Sequence, residues 1–263
     1  MSDFPDVRHV PRKRFGQHFL HDRNILRRIV EAIAPQPGDT LVEIGPGEGA
    51  MTLLLLPVAG KLTAIELDRD LIEPLRAKAA PLGELTIVNR DVLSVDFSEL
   101  APGTPLRVVG NLPYNISTPI LFHCLEHADA IRDMHFMLQK EVVDRMAAAP
   151  GSKIYGRLSV MLQLRCTVQP LFDVPPGAFR PPPKVDSAVV RLVPLPAEKL
   201  PQADFTAIDR VVRAAFGQRR KTLSNSLRGV ATSAQIAAAG IDPRGRAEQL
   251  APTQFVALAR QLA

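Results

Sequence analysis

Asn111-Leu112-Pro113-Tyr114 follows a short apolar run, Leu106–Val109, and sets an amide, two main-chain carbonyls and a phenol at the end of an expected strand. The exocyclic nitrogen of an aminated nucleobase is a poor nucleophile, because its lone pair is delocalised into the ring. The Asn111 side-chain oxygen and a main-chain carbonyl near Leu112-Pro113 can accept its two N–H bonds and favour a more pyramidal nitrogen. Tyr114 offers a face on which a flipped base can stack. Far upstream, Glu43-Ile44-Gly45-Pro46-Gly47-Glu48-Gly49 reads as a strand running into a glycine turn. Such a turn lets a small cofactor approach the backbone. The two motifs together predict transfer of a methyl group from a sulfonium cofactor to a base amine. That chemistry needs alignment and modest electrostatics, and neither a metal nor a strong base.

Two acids strengthen the cofactor reading. Glu66 ends the next apolar run, 19 residues after Gly47, where a carboxylate can accept from both hydroxyls of a ribose. Asp91 ends the run after that and can reach an adenine amino group. The glycine spacing is G-x-G-x-G, with Gly45 and Gly47 as the cofactor-facing pair. A nicotinamide cofactor would use the same Glu66, so these residues alone leave the choice of cofactor open. Asn111–Tyr114 has no part in hydride chemistry and favours the methyl donor.

The elements that must position these residues alternate. Asp22 can cap a helix over Asn24–Ile33. Strand signals at 41–44, 62–65, 85–88, 106–109 and 134–138 are separated by helical patterns at 50–56, 71–80, 118–126 and 141–148, with Thr118 expected to cap the third and Pro119 just inside it. A helix over 157–164 and strands over 166–174 and 188–193 follow. This predicts an α/β fold: a doubly wound, mostly parallel sheet covered by helices. Pro194-Leu195-Pro196 and Pro201 break the pattern. Helices are then expected over 205–216, 220–227, 233–239 and 253–262, forming a small C-terminal all-helical domain. The expected division is 1–194 for the catalytic domain and 201–263 for the tail.

Charge is uneven along the 263 residues. The net charge is +4 over residues 1–30, −4 over 31–200 and +5 over 201–263. An acidic body between basic ends suggests a polyanion partner. Arg12, Lys13 and Arg14 at one end and Arg219, Arg220 and Lys221 at the other are the expected phosphate contacts. Cys124 and Cys166 are far apart in apolar contexts and are expected to stay reduced. No residue spacing suggests a metal site. No run approaches the length of a membrane span or a signal peptide, so a soluble, cytoplasmic protein without membrane contact is expected.

The ordered set of motifs resembles the 16S ribosomal RNA adenine N6,N6-dimethyltransferase family, itself similar to the macrolide-resistance 23S RNA methylases. The carriers are Arg14–Leu20, Glu43–Gly49, Ile65–Asp68, Asp91, Gly110–Pro119, Met134–Glu141, Phe179–Ser187 and Phe216–Thr222, spread over nearly the whole chain. The resemblance implies a Rossmann-like methyltransferase sheet and S-adenosyl-L-methionine as donor. It implies two neighbouring adenosines near the 3′ end of 16S rRNA, within the small ribosomal subunit, as acceptors of two methyls each. It implies that His18, Leu20, Gly45, Glu66, Asp91 and Asn111 contact the cofactor or reaction centre. It makes Phe179 the second aromatic wall of the target pocket and adds Lys184 to the RNA contacts. Residues 1–20 become a basic arm and cofactor-covering segment, and the protein is expected to act as a monomer. Position 18 is more often Asn in such families; this chain has His. The rival readings are a 23S rRNA adenine methylase and a ribosome-assembly factor whose binding outweighs its methylation.

Overall fold

Asp22 opens the first helix much as its position in the sequence predicts. In the computed structural model, which describes residues 18–218 and 220–262, its carboxylate accepts from Asn24 N at 2.8 Å and Ile25 N at 3.1 Å. These bonds satisfy two of the free donors at a helix start. Arg12, Lys13, Arg14 and Arg219 lie outside the described residues. The order begins with β1 (Phe19–Leu20), α1 (Arg23–Ile33), β2 (Leu41–Ile44), α2 (Thr52–Ala59), β3 (Lys61–Ile65), α3 (Ile72–Ala79) and β4 (Glu84–Val88). It continues with α4 (Phe97–Leu100), β5 (Leu106–Asn111), α5 (Ser117–Glu126), β6 (Ile131–Gln139), α6 (Lys140–Met146) and α7 (Arg157–Gln163). Then come β7 (Cys166–Val174), β8 (Phe179–Arg180), β9 (Ser187–Pro194), α8 (Phe205–Gly217), α9 (Leu223–Ser226), α10 (Ser233–Ala238) and α11 (Pro252–Gln261).

Seven strands form one sheet in the order β4-β3-β2-β5-β6-β9-β7. The first five run parallel, which strand-helix-strand crossovers make possible. The order reverses at β2, between β3 and β5, and such a switch point opens a crevice at the carboxyl ends of the strands. Register decides what sits there. Ile44 pairs with Ile65 on one side and with Gly110 on the other. The next residue on each strand is Gly45, Glu66 and Asn111, so the three motifs arrive side by side. Gly110 makes this pairing possible: a Cβ there would stand 2.7 Å from the Ile44 carbonyl oxygen.

Two differences from the sequence reading have clear causes. The helix α5 starts at Ser117 with Ile116 at its cap and no side-chain cap bond, so Thr118 lies inside it. The expected helix over 220–227 shrinks to α9, because Ser224 N and Leu223 N bond to the carbonyls of Pro243 and Gly245. A tertiary partner there overrides local propensity.

By packing the chain divides into two compact units, residues 18–140 with 171–191 and residues 141–170 with 192–262. In the first, Arg107 is buried at 5% exposure and holds Asp39 at 2.7 Å and Asp133 at 3.0 Å, while also donating to the Ile33 and Ala34 carbonyls. In the second, α8 is capped by Asp204 and buries Ile208, Val211, Val212 and Ala215. Its Asp209 accepts from Arg157 at 2.7 Å, and Tyr155 donates to the Leu250 carbonyl at 2.9 Å. No helix among the described residues is long and apolar enough to cross a membrane.

Candidate active site

A cavity of about 310 Å³ lies at the switch point. His18, Leu20, Gly45, Gly47, Glu66, Asp91, Asn111, Leu112, Pro113 and Tyr114 all line it. Residues from five separate stretches therefore meet in one place. Phe179 and Lys184 are not among the lining residues.

The glycine turn is shaped for a ligand. A Cβ on Gly45 would meet nothing within 4 Å, so its φ of +65° leaves open backbone facing free space. Gly47, at φ +58°, is crowded instead: a Cβ there would come within 2.9 Å of the Phe19 ring. Beside the turn, Glu66 is 6% exposed. One of its oxygens accepts from Gly47 N at 3.2 Å and the other from Asp68 N at 2.8 Å. Burial, with the neighbouring Asp68 charge, raises its pKa above the usual carboxylate value, against the pull of the Asp68, Gly47 and Leu67 amides. Each oxygen keeps a lone pair for a further donor. Asn89 holds the strand end in place by donating to the Glu66 carbonyl at 2.7 Å. Asp91 is exposed and accepts from Leu93 N at 3.0 Å, which caps the turn after β4.

Glu43 was given no role by the sequence, yet it also lines the cavity. It is 1% exposed and accepts from Thr52 Oγ1 at 2.6 Å. Burial, with the neighbouring Glu66 charge, pushes its pKa up to about 7, and the Thr52 hydroxyl only partly offsets this. The signal available in the sequence was a carboxylate inside an otherwise apolar strand, Leu41–Ile44.

The Asn-Leu-Pro-Tyr turn is tied down on several sides. Asn111 Nδ2 donates to the His18 carbonyl at 2.9 Å, which fixes the amide and leaves its oxygen as acceptor. Leu112 N donates to the Met137 carbonyl at 3.1 Å, and the Pro113 carbonyl accepts from Ile116 N at 3.2 Å. The Tyr114 hydroxyl and Ser187 Oγ lie 2.6 Å apart. Burial raises the Tyr114 pKa, so the phenol stays neutral near pH 7.

Two short strands absent from the sequence reading connect this turn to distant chain. β1 and β8 pair antiparallel, Phe19 with Arg180 and Leu20 with Phe179. His18 Nδ1–H donates to the Pro181 carbonyl at 2.8 Å. The ribbon turns Phe179 inward: it is 2% exposed and packs in the apolar core with Leu20, Val174 and Ala178. The ring stacked on Tyr114 is His18, with centroids 5.4 Å apart and planes at 27°. Lys184, Arg220 and Lys221 are exposed. Among the described residues no group of three or more His, Cys, Asp or Glu could hold a metal ion.

A mainly parallel sheet with a glycine turn and an acid at its switch point, and Asn-Leu-Pro-Tyr on the adjoining strand, is the architecture of a Rossmann-like methyltransferase. The chain belongs to the ribosomal RNA adenine dimethylase family, whose model matches residues 8–263. Ribosomal RNA small subunit methyltransferase A of Xanthomonas campestris pv. campestris (strain B100) is 64% identical over 248 residues, 94% of this chain and 95% of the relative. The protein of that name from Xanthomonas oryzae pv. oryzae (strain PXO99A) is 63% identical over the same shares. A dimethyladenosine transferase from Plasmodium falciparum has the same fold, with a TM-score of 0.77 at 27% identity, over 92% of this chain and 96% of its own. The 23S rRNA methyltransferase ErmE follows at 0.71 and 28%, over 93% and 99%. The protein is therefore an S-adenosylmethionine-dependent rRNA adenine dimethyltransferase.

Proposed function

We propose that this enzyme places two methyl groups on N6 of each of two adjacent adenosines near the 3′ end of 16S rRNA, acting as a single chain on the small ribosomal subunit in the cytoplasm. The observation that carries the reading is the shared cavity of Glu66, Asn111 and Tyr114, in which the Asn111 amide is held with its oxygen free.

The residues fit the donor. Open backbone at Gly45 leaves room for it, Glu66 offers two acceptor oxygens to a ribose, and Asp91 offers one to an adenine amine. Leu20 and the main chain of His18 cover it from the N-terminal side. Glu66 puts negative charge where a cationic cofactor would lie, and Glu43 adds to it only as pH rises through about 7. S-adenosylmethionine supplies an electrophilic methyl group on its sulfonium. The protein supplies the alignment. Asn111 Oδ1 accepts one amine N–H, and a carbonyl of the Leu112-Pro113 turn accepts the other. The nitrogen lone pair is thereby turned out of conjugation, and Tyr114 holds the base flat against its ring. The amine proton lost in each transfer leaves to solvent water, and the same acceptors serve the second methylation with one N–H fewer. Lys184, Arg219, Arg220, Lys221 and the basic residues Arg12, Lys13 and Arg14 contact phosphates, and residues 201–263 serve RNA binding.

The test is to offer the purified enzyme isolated small and large ribosomal subunits with methyl-labelled donor. Label entering only small subunits supports the reading. Label entering 23S rRNA alone would move the enzyme to the ErmE-like activity.

A further inference from the structure

We propose that the His18 imidazole is a placeholder for the target base: it covers the stacking face of Tyr114 in the free protein, and the adenine must displace it before methylation. The inference rests on the reading of Tyr114 as the base platform. The two rings stand 5.4 Å apart between centroids and are nearly parallel. A third ring inserted between them needs van der Waals contact on both sides, about 7–8 Å in all. An adenine therefore takes the place of His18 and does not slide in beside it.

The side chain is built to leave while its backbone stays. One hydrogen bond to the Pro181 carbonyl and the stack on Tyr114 hold the half-buried ring. The His18 carbonyl is anchored separately, accepting from Asn111, and the adjoining Phe19 and Leu20 are paired to Arg180 and Phe179. A rotation about the side-chain bonds of His18 frees Tyr114 without releasing the Asn111 amide. Platform and placeholder are tied to the same stretch of chain, since Tyr114 meets Ser187 and His18 meets Pro181. The exchange also selects its ligand. A purine covers more of the Tyr114 ring than an imidazole does, whereas a pyrimidine gains less by replacing it. A shorter amide at position 18 would have no ring to offer Tyr114.

Histidine-labelled full-length protein tests this by NMR, with the His18 signal assigned from its loss in His18→Asn. In the free protein the His18 ring protons should be shifted upfield by Tyr114, and Tyr114→Leu should remove that shift. Adding a small-subunit rRNA fragment with S-adenosylhomocysteine should also remove it. In turnover, His18→Asn should lower the KM for RNA by about tenfold, the loss of one neutral hydrogen bond and one ring stack. A His18 signal unmoved by bound RNA, or a KM that stays or rises in His18→Asn, overturns the placeholder. Full turnover in Tyr114→Leu overturns the platform reading itself, and the placeholder falls with it.

Discussion

The side-chain amide of Asn111 donates to the main-chain carbonyl of His18, 93 residues earlier, at 2.9 Å. A residue at the end of a central strand is thus oriented by the segment that precedes the first helix. The same bond makes Asn111 specific as an amide. Asn111→Ala should lower the single-turnover rate by about 10²-fold, the usual cost of losing one positioned transition-state partner. RNA affinity should barely change. Asn111→Asp should be equally poor, since a carboxylate cannot donate to the His18 carbonyl. Rates and filter binding on the same subunits check both, and a defect confined to binding would remove Asn111 from the chemical step.

Glu66→Ala should weaken S-adenosylmethionine binding by about 1–3 kcal/mol, because a ribose loses an ionised acceptor. Glu66→Gln should fall between Ala and wild type, since one amide oxygen remains. Calorimetry on the isolated protein reads the effect. Equal affinity in all three folded proteins would exclude contact with the donor.

Glu43 gives a pH signature. Its pKa rises from 4.5 in the open chain to about 7 in the fold. The folded state therefore binds the proton more tightly. This contribution to stability is complete below the open-chain value, declines as pH rises through the window up to about 7, and is gone above it. It amounts to at most about 3 kcal/mol. Glu43→Gln keeps an acceptor for Thr52 and cannot ionise. Relative to wild type it should gain stability between about pH 5 and about pH 8 in urea unfolding. An unchanged difference between the two proteins across that range contradicts the assignment.

Arg107 offers a test of the fold away from the cavity. Arg107→Met leaves Asp39 and Asp133 buried without their main cation. Removal of one partner from a buried pair costs about 3–5 kcal/mol. The change should appear as a lower urea midpoint with an unaltered slope; a midpoint near wild type would mean that water replaces it, or Arg132, 3.2 Å from Asp39, and Arg191, 3.7 Å from Asp133.

Much of this arrangement was legible in the sequence. Strand and helix signals were strong in the first half, because parallel strands read as short apolar runs between amphipathic helices. Glu66 and Asn111 were legible because strand register carries residues just past each run to the same edge. The two-residue strands β1 and β8 were not, since they have no periodicity and owe their existence to each other. Phe179 shows the same limit: pairing with Leu20 turns it inward, and nothing local to Phe-Arg-Pro-Pro specifies that partner. Glu43 was missed because one acid in an apolar strand looks the same whether it is paired, protonated or catalytic.

For the tail, neutralising Arg219, Arg220 and Lys221 together should weaken subunit binding and reduce its salt slope by up to about 0.7–0.9 log unit per lost phosphate contact. Donor affinity should stay as it is. If the cluster only stabilises helix ends, thermal melting will shift while the salt slope does not.

The most direct test of the account is the nucleoside content of small-subunit RNA after reaction with a deuterated methyl donor. Digestion and mass mapping should find N6,N6-dimethyladenosine at two adjacent positions near the 3′ end of 16S rRNA, with both methyls carrying the label. Unmodified adenosines there, or label confined to another base or another RNA, would contradict it.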